Sequence, residues 1–339
     1  MERITVVGLD LAKNVFEVCG RGFQGEVVLR RQLRRGQVLG FFRQLPKCMV
    51  GMETCSGSNY WARELAGLGH EVRLMPGQYV KAYVKTNKND QADAEAISEA
   101  VMRPTMRFVR PKTVEQQDRL MVHRVRERLM SERTALVNEI RSFLMEYGIV
   151  EPQGIGHLRK RLPCLLEGVQ PDGLTVQGRE ILRVLWEELL NLDERVAWAD
   201  EKIRVQFQSS ELGRRLIKIP GVGPITATAI EATVAQARDY RNGRQFSAWI
   251  GLVPRQHSTG GRSRLLGISK RGDSYLRKLL IHGARAVVQH VGEKVDPASR
   301  WIRRVRDQRG FNKSAVALAN KNARRIWAMM LSGQEYRAA

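Results

Sequence analysis

Ile4-Thr5-Val6-Val7-Gly8-Leu9-Asp10 is the stretch that decides the fold. An apolar, β-branched run of this length has the pattern of a buried strand, and here it ends on a carboxylate. Working outward, residues 15–19 and 26–33 predict two more strands, joined through Gly20, Gly22 and Gly25. A helix over 38–45, a strand over 48–52, a helix over 58–68 and a strand over 71–75 follow. Strands first, then strands alternating with helices, predict a mixed α/β sheet. The character changes after Asp90. Residues 114–147 hold no proline and carry apolar side chains at 129, 136, 140, 143 and 144, a helical face over several turns. Residues 176–207 form a second such stretch, with Pro152, Gly154, Gly156 and Pro163 marking the break between them. From Leu216 on, helices resume around two glycine-rich loops.

Charge narrows the classes of function. The 339 residues carry 57 Lys and Arg against 35 acidic residues, a formal +22. From residue 254 onward the ratio is 19 to 5, so the surplus is concentrated in the last quarter. A positive field of this size attracts polyanions, and counterion release from phosphates supplies binding energy. No run of about 18 apolar residues predicts a membrane span, and no signal-peptide pattern opens the chain. The four cysteines, Cys19, Cys48, Cys55 and Cys164, match no zinc spacing, so free thiols in a reducing cytoplasm are expected.

Four carboxylates form the first chemical group. Asp10 ends the first strand in Gly8-Leu9-Asp10, and Glu53 ends a later one in Val50-Gly51-Met52-Glu53. Asp90 and Asp93 stand three apart at a predicted helix start, so both can point at one spot. Strand-end acids beside a helix-borne pair can assemble a hard oxygen site for Mg²⁺ on a phosphodiester. Each acid also has a plainer reading: Asp90 as a helix cap, Glu53 as a turn residue. Asp10 is harder to dismiss, because a carboxylate ending a buried strand is costly without a partner.

Two glycine-rich segments carry the rest. Ile219-Pro220-Gly221-Val222-Gly223-Pro224 reads as a turn between helices whose amides, at Gly221 and Gly223, can hold a backbone phosphate, as in helix-hairpin-helix modules. A tight turn inside a bundle has the same pattern. Pro254-Arg255-Gln256-His257-Ser258-Thr259-Gly260-Gly261-Arg262, continuing to Ser269-Lys270-Arg271-Gly272-Asp273, sets a hydroxyl beside paired glycines and cations. That suits a phosphate-handling loop with Ser258 as nucleophile, although Ser-Thr-Gly-Gly also occurs in plain loops.

Taken in order, Gly-Leu-Asp, Met-Glu-Thr, Asn-Asp-Gln-Ala-Asp-Ala, Ile-Pro-Gly-Val-Gly-Pro, Gly-Leu-Val-Pro-Arg-Gln-His-Ser-Thr-Gly-Gly and Gly-Ile-Ser-Lys-Arg-Gly-Asp resemble the signature of one family, from Ile4 to about Trp327. It is the DEDD insertion-sequence transposases, the "one-ten" family in its "eleven-eleven" branch. The resemblance implies an RuvC-like, RNase H-type α/β domain over 1–112, a helical coiled-coil region over 113–210, and a mainly α C-terminal transposase domain over 211–335 with a helix-hairpin-helix-like motif. It implies a transposase that cuts and rejoins DNA through a phosphoserine link. Asp10, Glu53, Asp90 and Asp93 would hold Mg²⁺ and Ser258 would attack, an ungapped reading placing Thr259 there instead. The implied partners are donor and target DNA, a structured non-coding guide RNA, and further copies of the chain in a homodimer or homotetramer. Arg255, Arg262, Lys270 and Arg271, with Gly221 and Gly223, are the expected nucleic-acid contacts.

The six histidines show no ligand spacing, and only His257 stands near the serine. Trp61, Trp186, Trp198, Trp249 and Trp327 read as core residues. The run Arg300-Trp301-Ile302-Arg303-Arg304-Val305-Arg306 reads as a nucleic-acid contact or a solvated helix face. Two other classes compete with the recombinase. A metal-dependent nuclease or junction resolvase would use water and need only the carboxylates. A non-catalytic binding protein would need neither the carboxylates nor the serine.

Overall fold

The computed structural model describes residues 4–84, 89–168 and 173–337. The chain divides into two compact units, residues 1–115 and 116–339.

The first unit is built on a five-stranded sheet. Its strands are β1 (Val6–Asp10), β2 (Val15–Arg21), β3 (Val27–Arg34), β4 (Met49–Glu53) and β5 (Glu71–Met75), in the order β3-β2-β1-β4-β5. β1–β2 and β2–β3 are antiparallel, as short connections allow, whereas β1–β4 and β4–β5 are parallel and need helical crossovers. Those crossovers contain α1 (Val38–Gln44) and α2 (Ser58–Gly67); the short α3 (Gly77–Val80) and then α4 (Asp90–Ala100) follow β5. Strand alternation divides the side chains between two faces. Val7 and Leu9 join Phe16, Phe42, Trp61 and Leu65 in one core, and Val6 joins Met75, Ile97 and Val101 in the other, beneath α4. The expected strands and helices of this unit are all present, with ends displaced by one or two residues.

α4 lies against β1 because the strand offers it no side chain. A carbon added at Gly8 would stand 2.5 Å from the amide nitrogen of Ser98, and one at Gly51 would stand 2.8 Å from Cβ of Val101. The helix is fixed laterally by Arg21 of β2, a buried guanidinium that donates to Ser98 Oγ at 2.7 Å and lies 3.9 Å from both Glu95 and Glu99.

The second unit is helical. α5 (Val114–Glu146), which begins at the boundary, α6 (Ile155–Glu167) and α7 (Val176–Gln208) share a leucine-rich core, and Asp193 accepts from both Arg133 and Arg159 across the three helices. Pro163 does not break the chain as the sequence suggested. It lies within α6, as Gly156 does, and the break falls before that helix, at residues 147–154. Phe143, on the expected apolar helical face, and Trp198, read as core, are 40% and 51% exposed. Helices α8 (Glu211–Leu216), α9 (Pro224–Thr233), α10 (Gly243–Ile250), α11 (Ser274–Gln289), α12 (Pro297–Arg309) and α13 (Phe311–Ser332) enclose a second core around Phe246, Leu280 and Ile326. Between α10 and α11 stand two short antiparallel strands, β6 (Pro254–Gln256) and β7 (Leu265–Ile268). Buried His123 ties α5 to this bundle: Nδ1 lies 3.0 Å from the Tyr275 hydroxyl and Nε2 3.1 Å from Thr228 Oγ1. Among the described residues no helix is long and apolar enough to cross a membrane.

Candidate active site

Gly-x-acid occurs at the end of two neighbouring parallel strands, and alternation gives it a consequence. Leu9 and Met52 are buried in the opposite core, so Gly8 and Asp10 in β1, and Gly51 and Glu53 in β4, share the face toward α4. α4 runs antiparallel to β1, so its first turn stands beside the strand's last residue. Asn89 caps that turn by accepting from the Ala92 amide, which leaves Asp90 and Asp93 free of the capping role. The result is a cluster: carboxylate oxygens of Asp10, Asp90 and Asp93 all lie within 4.8 Å of one another. Glu53 is not part of that tight group, yet its charge acts on Asp10. Its side chain passes directly over Gly77, where any Cβ would collide with its carboxylate.

The electrostatics of the cluster are unfavourable as the side chains stand. Burial, then Asp93, Asp90 and Glu53, push the Asp10 carboxyl up to about 6, against one lowering contact from the Leu11 amide. Among the described residues no ion pair involves any of the four acids. Two like charges at such distances repel by roughly 3–4 kcal/mol at an effective dielectric near 20, well above the ~1 kcal/mol of a surface ion pair. A small divalent cation would reverse the sign of that energy, and an all-oxygen donor set suits Mg²⁺. The residues present therefore fit such an ion. Cys55, just beyond β4, feels the same field, and its thiol is raised by burial and by Asp10 and Glu53.

Ser258 lies in the second unit, on a β-hairpin rather than an open loop. Thr259 and Arg262 pair in both directions, amide to carbonyl, at 3.3 and 3.0 Å. Between them Gly260 and Gly261 have φ of +53° and +76°, the left-handed pair that a two-residue hairpin turn requires. Ser258 is exposed one residue before this turn, and its Oγ accepts from Gln256 Nε2 at 2.8 Å. The hairpin base is fixed: the Ser269 and Lys270 amides donate to Val253 and Gly251, and Arg277 Nη1 donates to the carbonyls of Ile250 and Arg271 at 2.8 and 3.0 Å. Arg255, Arg262, Lys270 and Arg271 are all exposed around it. Arg277 was not singled out from the sequence, because nothing in its local pattern separates an anchor from a surface cation.

The Gly221 turn connects α8 and α9. Gly221, at φ +86°, packs on Gly283 of α11, whose carbonyl oxygen would stand 2.8 Å from an added Cβ. Packing alone thus explains this glycine. Gly223 is exposed at the N-terminus of α9.

Comparison with known proteins agrees with this arrangement. Residues 213–300 match the family described as "Transposase IS116/IS110/IS902 family", and residues 7–149 match a DEDD-type family described as "Transposase". The chain is 51% identical over 98% of both sequences to a protein of Pseudomonas aeruginosa named "Probable family 20 transposase". It is 45% identical to the "Transposase for insertion sequence element IS1111A" of Coxiella burnetii, over 99% of this chain and 92% of that one. It is 38% identical over 98% of both sequences to the "Transposase for insertion sequence element IS1328" of Yersinia enterocolitica. A sheet that gathers acids and a basic helical second unit, matched at this level along nearly the whole length, mean that the chain belongs to the IS116/IS110/IS902 family of insertion-sequence transposases.

Proposed function

We propose that this transposase cuts and rejoins DNA through a serine-linked intermediate, with Ser258 and the carboxylates Asp10, Glu53, Asp90 and Asp93 serving one phosphodiester. The observation that carries the reading is the uncompensated cluster of Asp10, Asp90 and Asp93 at the edge of the sheet. Acids crowded together with no basic side chain paired to them among the described residues are an energetic cost that a purely structural site would not retain. The strand order β3-β2-β1-β4-β5 supports an RuvC-like, RNase H-type reading of the domain over 1–112, followed by a coiled-coil region over 113–210 and a transposase domain over 211–335.

In the covalent step, Ser258 Oγ forms a bond to phosphorus as one P–O bond of the DNA backbone breaks. The serine proton passes, through water that reaches the exposed hairpin, to the leaving oxygen, so that the broken strand departs as an alcohol. Attack by a strand-end hydroxyl reverses the step, joins the new strand and restores the serine. Mg²⁺ held by the four carboxylates would supply charge stabilisation to the phosphate oxygens. Gln256 orients the hydroxyl through its hydrogen bond. Arg255, Arg262, Lys270 and Arg271 draw the phosphates to the hairpin, while Gly221, packed on Gly283, shapes a helix-hairpin-helix-like turn whose exposed Gly223 end faces the backbone. A structured non-coding RNA that pairs with donor and target DNA would choose the sites, and the working assembly would be a homodimer or homotetramer.

The alternative, a metal-dependent RuvC-like nuclease or junction resolvase using water, rests on the same carboxylates but leaves the fixed hairpin without a role. Strand transfer by protein purified with its co-expressed RNA, in Mg²⁺, separates the two. Ser258→Ala and Asp10→Ala should each abolish joined product, while Thr259→Ala retains it. Cleavage that persists in Ser258→Ala would leave the nuclease.

A further inference from the structure

The first turn of α12, one face of α13 and the segment 333–337 enclose an open crevice of about 500 Å³. Lys321, Arg325, Ala328 and Ser332 follow one another at helical spacing along α13 and line it. Pro297, Ala298 and the Met329 side chain give it an apolar wall. Lys321 Nζ stands 4.5 Å from the centre of the Trp301 ring, and the Arg325 guanidinium 5.1 Å from that of Tyr336. Among the described residues neither cation has an acidic partner. Arg325 makes only a 3.3 Å contact with Asn322, and Glu335, the acid in the lining, is held by Lys218 at 2.6 Å. Lys321 is depressed by burial and by Arg325 and Arg324, so positive charge is crowded here.

We propose that this crevice receives one unpaired nucleotide of a nucleic-acid strand, its phosphate on Lys321 and Arg325 and its base against the apolar wall beside Tyr336. A phosphate relieves the crowding of cations, and the wall offers surface that suits a base but not a second ion. The volume suits one nucleotide rather than a duplex. A strand fits better than a free nucleotide because α12 continues out of the crevice with Arg300 and Arg304, exposed four residues apart on one face. Those two side chains can take the neighbouring phosphates. The inference is independent of the serine chemistry and concerns binding alone.

The test uses the full chain and 12-nucleotide single strands of DNA and of RNA, each carrying one 5-iodopyrimidine for photocrosslinking. Wild type should give an adduct on the peptide containing Met329 and Tyr336, with DNA, RNA or both naming the strand. Ala328→Trp places a bulky, uncharged side chain in the crevice from an exposed position. It should remove that adduct and weaken binding at least tenfold with the melting temperature unchanged. Lys321→Ala/Arg325→Ala should also remove the adduct, and should lower the salt dependence by about 1.4 in log–log slope for two lost contacts to a single strand. Adducts confined to other peptides, or wild-type binding by Ala328→Trp, would overturn the proposal. Displacement of the strand by micromolar AMP would also overturn it, in favour of a free nucleotide.

Discussion

A side chain on Gly8 would place its first carbon 2.5 Å from the amide nitrogen of Ser98, so the approach of α4 to β1 depends on hydrogen at that position. That approach carries Asp90 and Asp93 to Asp10. Gly8→Ala should therefore push α4 outward, lower stability by about 1–3 kcal/mol as overpacking does, and weaken divalent-cation binding more than tenfold. Isothermal titration with Mn²⁺ beside thermal melting reads both. A variant that loses stability but binds metal normally would show that α4 does not set the cluster.

Asp10 gives a pH signature. Its folded carboxyl is raised from 3.8 to about 6, so between those values the folded chain holds a proton that the unfolded chain has released. Stability of the metal-free protein should then fall as pH rises through this window, and level off above it. Asp10→Asn should flatten that dependence and raise the melting temperature in EDTA at pH 7.5. Added Mg²⁺ should stabilise wild type but not this variant.

His123 gives the opposite sign. Burial, with Arg126 and Arg124 nearby, lowers it from 6.5 to about 4, so the folded chain refuses a proton that the unfolded chain accepts. The stability it contributes is complete above pH 6.5 and should be lost progressively toward pH 4, by up to about 3 kcal/mol. His123→Gln keeps a polar group beside Tyr275 and Thr228 without the titration. Denaturant melts at pH 4.5 and 7 should show wild type losing more stability toward pH 4.5 than His123→Gln, the Asp10 contribution being common to both proteins.

At the hairpin tip, Gly260 and Gly261 both occupy left-handed backbone, which costs other residues roughly 1–2 kcal/mol each. Gly260→Val/Gly261→Val should reduce strand joining at least a hundredfold while the melting temperature, set by the core beneath, changes by less than about 2 °C. Circular dichroism and the strand-transfer assay give the two readouts.

The sheet was legible because strand and helix periods are local properties: β5 falls on the expected residues, and the others differ only at their ends, where fraying and capping decide. The carboxylates could be named because each stood at an element's end. Their convergence depended on Gly8 and Gly51, whose role follows from the repeated Gly-x-acid pattern once the two strands are known to be neighbours. Pro163 misled because a proline can sit inside a helix when its surroundings hold the turn, as Leu162 and Leu166 do from the buried side. Trp198 misled because helical spacing marks a face without saying whether anything covers it. The serine segment read as a loop because its strands are three and four residues long, too short to show alternation.

The most direct test locates the covalent bond. Protein with its co-expressed RNA is incubated with donor and target DNA in Mg²⁺, quenched in denaturant, digested with nuclease and protease, and analysed by mass spectrometry. The account predicts a nucleotide remnant on the Ser258 hydroxyl in wild type, and none in Asp10→Asn. A remnant on Thr259, or cleaved DNA with no modified peptide, would contradict it.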